Sequence, residues 1–240
     1  MVGDLSGFVA ATYMRGVTFV LVPTTVMAMA DASIGGKTGV NTPQGKNLVG
    51  AFHQPSKVIA DIQFLGTLPL RHICNGFAEI IKIAVLRNVS MVEALETTGL
   101  DILSHPKQIM NIIAHSIREK HKVVVEDATE KGIRQILNFG HTIGHGIEAA
   151  FSHELLHGEC VSIGMLVESE MAVFHGITPS QLPFRIQNLL QKFNLPTQCP
   201  QHLSKETLLN YISVDKKCSG FTRKKSQGKF MGLCRPILME

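Results

Sequence analysis

Val17-Thr18-Phe19-Val20-Leu21-Val22, closed by Pro23-Thr24-Thr25, is the stretch whose reading decides the fold class. An apolar run ended by proline predicts a strand buried on both faces of a parallel sheet. A second strand is expected over Lys57 to Asp61. Between the two lie Asp31-Ala32-Ser33-Ile34-Gly35-Gly36-Lys37-Thr38 and Asn41-Thr42-Pro43-Gln44-Gly45-Lys46-Asn47, dense in glycine and small polar residues. That composition predicts a loop along which a phosphate or nucleotide could lie. From about Leu70 the apolar period becomes helical, through 71 to 86, 107 to 126, 132 to 150, 157 to 175 and 180 to 194. The chain therefore divides into an α/β part over 1–70 and an α-helical part over 71–240. Two strands are too few for a stable open sheet, so the chain is expected to begin inside a domain whose other strands are either absent or supplied by something else.

Composition narrows the function classes. The 240 residues are 45% hydrophobic and 18% charged, enough to bury a core in one domain or two small ones. A net charge of +4 is too small to demand nucleic acid as the partner, though it leaves room for a local anion site. No apolar run reaches the roughly 20 residues of a membrane span. The five cysteines, Cys74, Cys160, Cys199, Cys218 and Cys234, form no CxxC pair, which points to a reducing, cytoplasmic setting.

The sharpest chemical signal is Leu137-Asn138-Phe139-Gly140-His141-Thr142-Ile143-Gly144-His145, which sets two histidines four apart on one helix face. A third histidine follows in Leu156-His157-Gly158-Glu159, at the head of another helix. Upstream, Phe77-Ala78-Glu79-Ile80-Ile81-Lys82 places a carboxylate and an amine on one face of an otherwise apolar helix. Histidines and a carboxylate on packed helices suit an open zinc site with three protein ligands. Spacing alone would pair His141 with His145 as ligands. Each histidine could instead be a satisfied core residue, and Lys82 could neutralise Glu79 as a structural ion pair, because a buried carboxylate needs a cation. Lys37, Lys46, Lys120, Arg134, Lys216 and Lys217 stand beside glycines or helix ends, where solvated surface charge is the plain alternative to anion binding.

Taken together, VGDLSGFVAATYMRG, VPTT, DASIGGKTGVNTPQGKNLVGAF, TLP, GFAEIIK, RQILNFGHTIGH, LHGE and VDKK resemble the 3-dehydroquinate synthase family, in the form seen in the fungal pentafunctional AROM protein. The resemblance spans nearly the whole chain in the family's order. It implies an incomplete Rossmann-like nucleotide domain, then an α-helical metal domain, with the active site in the cleft between them. It further implies conversion of 3-deoxy-D-arabino-heptulosonate 7-phosphate into 3-dehydroquinate, with catalytic NAD⁺ and a zinc or cobalt ion. The family has a further stretch ahead of VGD that holds most of the Rossmann strands. This chain is therefore expected to be an N-terminally truncated form.

The resemblance also assigns residues. Glu79, His141 and His157 become the metal ligands, which moves His145 to the substrate side as acid/base, with Glu130 as another proton acceptor. Arg15, Asp31, Lys37, Asn47, Lys82, Lys120, Arg134, Leu137, Asn138 and Lys216 fall on the substrate, Arg15 reaching from a neighbouring subunit of a homodimer. Asp4, Thr24, Thr25, Lys46 and Thr67 fall on the nucleotide. Two other readings compete: a catalytically silent remnant that folds and binds metal, and a sister cyclase using sedoheptulose 7-phosphate. Those cyclases replace the asparagine and second histidine of the GHT motif, whereas Asn138 and His145 are retained here.

Overall fold

The computed structural model describes residues 1–42, 45–151, 154–200 and 203–214, with backbone alone at 45–46 and 213–214. Contacts divide it into two units, one of 1–76 with 105–134, the other of 77–104 with the residues from 135 onward. The class is α/β plus α, mostly helical with a small parallel pairing.

In the first unit, helix α1 (Val2–Thr12) packs on a hairpin of β2 (Lys37–Thr42) and β3 (Gly45–Phe52). Strands β1 (Val20–Leu21) and β4 (Lys57–Val58) pair in parallel, Val20 opposite Lys57 and Leu21 opposite Val58. The expected strands are thus present but shorter. Val20 and Val22 are each 50% exposed, so this strand is not buried on both faces as expected, since it has one neighbour among the described residues. The glycine-rich stretch expected as a loop is also different: much of it is the β2/β3 hairpin, with Gly39 opposite Gly50 and a register shift between Val40 and Thr42. Close approach requires glycine at that pair, because a Cβ on Gly50 would lie 2.2 Å from the Thr38 carbonyl oxygen. Helix α4 (Pro106–Glu126) completes the unit, burying Ile109, Ile112, Ile113, Val123 and Val124 at three- and four-residue spacing.

Helix α2 (Leu70–Arg87) begins where the hydrophobic period changes, and the division between units falls inside it, after Gly76. Every residue from Ile73 to Leu86 is buried, as a helix apolar on all sides requires. The second unit adds α3 (Val89–Thr98), α5 (His141–Ala150), α6 (His157–Phe174), α7 (Leu182–Lys192) and α8 (Lys205–Val214). Its core joins Ile143, Ile147, Cys160, Ile163 and Ile212, while Phe77 of α2 stacks on Phe193 with ring centroids 4.6 Å apart. Arg185 of α7 grips Glu96 of α3 through two bonds of 2.7 and 2.8 Å. The helix expected over 132–150 is broken: a 3₁₀ turn (Ile133–Asn138) leads into Gly140, whose φ of 78° stops the first piece before α5 begins. No helix among the described residues is long and apolar enough to cross a membrane.

Candidate functional site

The second unit brings Glu79 of α2, His141 of α5 and His157 of α6 together, their ligand atoms all within 4.8 Å of one another. Nε2 of each histidine lies 3.4 Å from Glu79 Oε1. His141 and His157 each open their helix, and the local backbone fixes both starts. Gly140 supplies the left-handed turn before His141, where a Cβ would come within 2.5 Å of Met165 Cγ and 2.8 Å of the Val161 carbonyl oxygen. Glu168, buried in α6, accepts the Gly140 N–H at 2.7 Å and the Ile143 N–H at 3.3 Å, capping the free donors of α5. Glu159 does the same for α6 by accepting the Leu156 N–H at 2.8 Å. The Phe139 carbonyl accepts from His141 Nδ1 at 3.1 Å, leaving the Nε2 lone pair for a ligand.

Glu79 tests whether a cation fits. It is 1% exposed and forms an ion pair with the equally buried Lys82, yet neither carboxylate oxygen accepts a hydrogen bond of good geometry. Buried acceptors left so are costly, and a divalent ion beside Oε1 and two imidazoles would satisfy them. Burial opposes ionisation of Glu79, but Lys82 and then His157 outweigh it and hold the carboxyl well below the usual carboxylate range. Burial likewise disfavours charged His157, but bonds to Glu148 and Glu79 prevail and push it up to about 9. Two nitrogens and one oxygen is the donor set of an open zinc site. The residues fit a divalent metal.

His145 lies outside this set, one turn beyond His141, with its ring centroid 5.3 Å from His141 and 5.8 Å from His157. With Glu148 and His157 it forms a second group of donor atoms within 4.8 Å. Asn138 ends the 3₁₀ turn half-buried, next to the buried Leu137.

The first unit gathers three of the expected substrate cations, each held by protein groups. Lys120 of α4 donates to the Asp31 carbonyl at 2.6 Å and to its Oδ1 at 2.7 Å. Lys37 of β2 pairs with Glu130, which stands in left-handed backbone at φ 60°. Arg134 is 1% exposed, donates to Ala128 O at 2.7 Å and Gly35 O at 3.1 Å, and lies 5.8 Å from the Phe52 ring centroid. Gly35 has φ 107°, and a Cβ there would meet Arg134 Nη2 at 2.3 Å, so glycine is required for this seat. Asp127 ties the segment by accepting N–H bonds from Lys131, Gly132 and Arg134 at 3.0, 2.6 and 3.2 Å.

Other expected site residues are more exposed. Asn47 has φ 50° and takes the Asn41 side chain onto its N–H at 3.1 Å. Arg15 sits exposed in a left-handed turn at φ 66°. Among the residues expected at the nucleotide, Asp4 is on α1, Thr24 and Thr67 are exposed, and Thr25 Oγ1 accepts the Ala28 N–H at 3.1 Å. Their carboxylate can accept from ribose hydroxyls, and their hydroxyls can donate to a pyrophosphate. Lys46 is placed by backbone alone in β3, and Lys216 lies outside the described residues. Sequence reading missed Glu148, Glu168 and Asp127. The usable signal for Glu168 was the one that exposed Glu79, an acid inside an apolar helix. For Glu148 it was a position seven beyond His141, on the same face.

Comparisons place this geometry. Residues 1–75 match the family model described as 3-dehydroquinate synthase N-terminal, and residues 76–218 the one described as 3-dehydroquinate synthase C-terminal. A 3-dehydroquinate synthase of Symbiobacterium thermophilum is 48% identical over 219 residues, covering 90% of this chain and 61% of that protein. The pentafunctional AROM polypeptide of Schizosaccharomyces pombe is 44% identical over 245 residues, covering 92% of this chain and 16% of its own length. The chain therefore spans under two thirds of the bacterial relative and a small share of the fungal one. Among solved structures, 2-epi-5-epi-valiolone synthase from Streptomyces hygroscopicus subsp. jinggangensis, with NAD⁺ and Zn²⁺ bound, superposes with a TM-score of 0.83 at 29% identity, over 90% of this chain and 60% of that one. A 2-deoxy-scyllo-inosose synthase complexed with carbaglucose-6-phosphate, NAD⁺ and Co²⁺ gives 0.81 at 31% identity, over 90% and 59%. With both halves matched in order, and a carboxylate and two imidazoles converging in the second, the chain belongs to the 3-dehydroquinate synthase family.

Proposed function

We propose that the chain acts as a 3-dehydroquinate synthase, releasing phosphate from 3-deoxy-D-arabino-heptulosonate 7-phosphate to give 3-dehydroquinate. The observation that carries this reading is a buried carboxylate, paired with Lys82 through Oε2, whose Oε1 lies 3.4 Å from Nε2 of each of two imidazoles. Glu79, His141 and His157 would hold a zinc or cobalt ion, and Asp4, Thr24, Thr25, Lys46 and Thr67 of the nucleotide part (1–70) would hold NAD⁺. When bound, the ion supplies a Lewis acid at substrate oxygens and the nicotinamide a reversible hydride acceptor.

The chain's own groups bind and move protons. Lys37, Asn47, Lys82, Lys120, Arg134, Leu137, Asn138 and Lys216 are assigned to the substrate, the charged and amide groups among them to its phosphate and carboxylate, since a dianionic group needs several charged donors. Lys120 is aimed in advance by its two bonds to Asp31, whose carboxylate also suits a substrate hydroxyl. His145, outside the ligand set, moves a proton at the phosphate end, and Glu130 accepts another. The departing phosphate can share that work. Arg15 would act from a neighbouring subunit of a cytoplasmic homodimer.

A sister cyclase is the competing reading, because the two solved neighbours described above are such enzymes. Asn138 and His145, together with 48% identity to the bacterial synthase, favour the synthase. Phosphate release by the purified chain, supplied with Zn²⁺ and excess NAD⁺, separates the two. Release from the heptulosonate phosphate alone is expected. No release, or release from sedoheptulose 7-phosphate instead, overturns the proposal.

A further inference from the structure

His141 and His157 are held in different ways. His141 is buried, and its Nδ1 is fixed by the carbonyl of its own chain two residues back. His157 is one third exposed, and as the first residue of α6 it has no preceding helical turn to confine its rotamer. Its Nδ1 points instead to Glu148 Oε2 at 3.3 Å, while Nε2 at the far side of the ring is 3.4 Å from Glu79 Oε1. The ring is thus strung between two carboxylates. Glu148 is only 16% exposed, and it shares a face of α5 with His141 and His145, being seven and three residues beyond them.

Resting on the metal reading above, we propose that Glu148 is a positioning residue for His157. It accepts the Nδ1 proton, selects the tautomer whose Nε2 carries the lone pair, and holds the imidazole in the rotamer that faces Glu79. An outer carboxylate of this kind is worth about 10–100-fold in metal affinity. Nothing in the reaction requires it to touch substrate.

Co²⁺ titration of the full chain, followed by visible absorption and by calorimetry, tests this. The wild type should bind one ion per chain with a tetrahedral-type spectrum. Glu148→Ala should weaken binding roughly 10- to 100-fold and alter the spectrum, while keeping the stoichiometry of one. Glu148→Gln keeps an acceptor oxygen of the same reach, so it should recover most of the affinity. Equal affinity in the wild type and Glu148→Ala overturns the proposal alone. So does a wild type that takes two ions, the second lost in Glu148→Gln, since Glu148 would then be a ligand with His145. A wild type that binds no Co²⁺ overturns the metal reading itself, a result distinct from either.

Discussion

The two units each contain a carboxylate paired with a lysine, and the contrast between the pairs separates ligand chemistry from anion binding. Glu79 and Lys82 are 1% and 2% exposed on a single buried helix, one turn apart. Lys37 and Glu130 join a strand to a strained turn, with the lysine side chain 48% exposed. Removing a charge from water is costly, so the first pair persists only where its geometry is fixed and something uses it. The second keeps its lysine half in water and contributes little to stability.

The largest expected effect is on the buried pair. Glu79→Gln strands Lys82 in the core, which should cost about 3–5 kcal/mol in thermal or denaturant unfolding and abolish metal retention. A loss under 1 kcal/mol would show that the pair is hydrated rather than buried. Gly140→Ala comes next, at about 1–3 kcal/mol, because φ 78° and the contact with Met165 both exclude a methyl. Arg134→Ala should raise KM roughly 10- to 100-fold, taking about 1.5–3 kcal/mol for hydrogen bonds to a charged group. Its metal content should remain unchanged, and an emptied site would break the separation between clusters. Lys37→Ala should change stability by less than about 0.5 kcal/mol while lowering turnover.

Acidity sharpens the contrast further. With its pKa raised from 6.5 to about 9, His157 in the metal-free chain carries a proton at neutral pH. The stabilisation its charge provides is complete below about pH 6.5 and is lost as pH rises through about 9. Metal must displace that proton, so affinity should climb with pH and level off above about 9. Calorimetry in buffers of different ionisation enthalpy should detect about one proton released per ion at pH 7.5. No buffer dependence would mean that His157 is already neutral.

Much of the second unit was legible because helices announce themselves locally. The change of period marked α2 to within a residue at each end, and charged side chains inside apolar helices marked Glu79 and Lys82. What stayed hidden depends on distant partners. The helix read over 132–150 breaks at Gly140, whose turn is held by Glu168 some 28 residues later. Helix α3 was missed although Asn88 caps it by accepting the Met91 N–H at 3.0 Å and Met91, Val92 and Leu95 are buried at helical spacing, because at ten residues it offers less than three turns of periodicity. The β2/β3 hairpin reads as loop because its facing glycines erase the alternation that betrays a strand. In the site, histidine spacing alone paired His141 with His145. The ligand that replaces His145 opens a different helix, a proximity that comes from packing and is absent from local pattern.

The central claim is that Glu79, His141 and His157 share one cation while His145, only four residues from His141, does not. Metal content per chain after zinc loading and dialysis tests it directly, across His141→Ala, His145→Ala and His157→Ala. One zinc in the wild type and in His145→Ala, with near none in the other two, is the predicted result. Zinc lost from His145→Ala but retained by His157→Ala would contradict it.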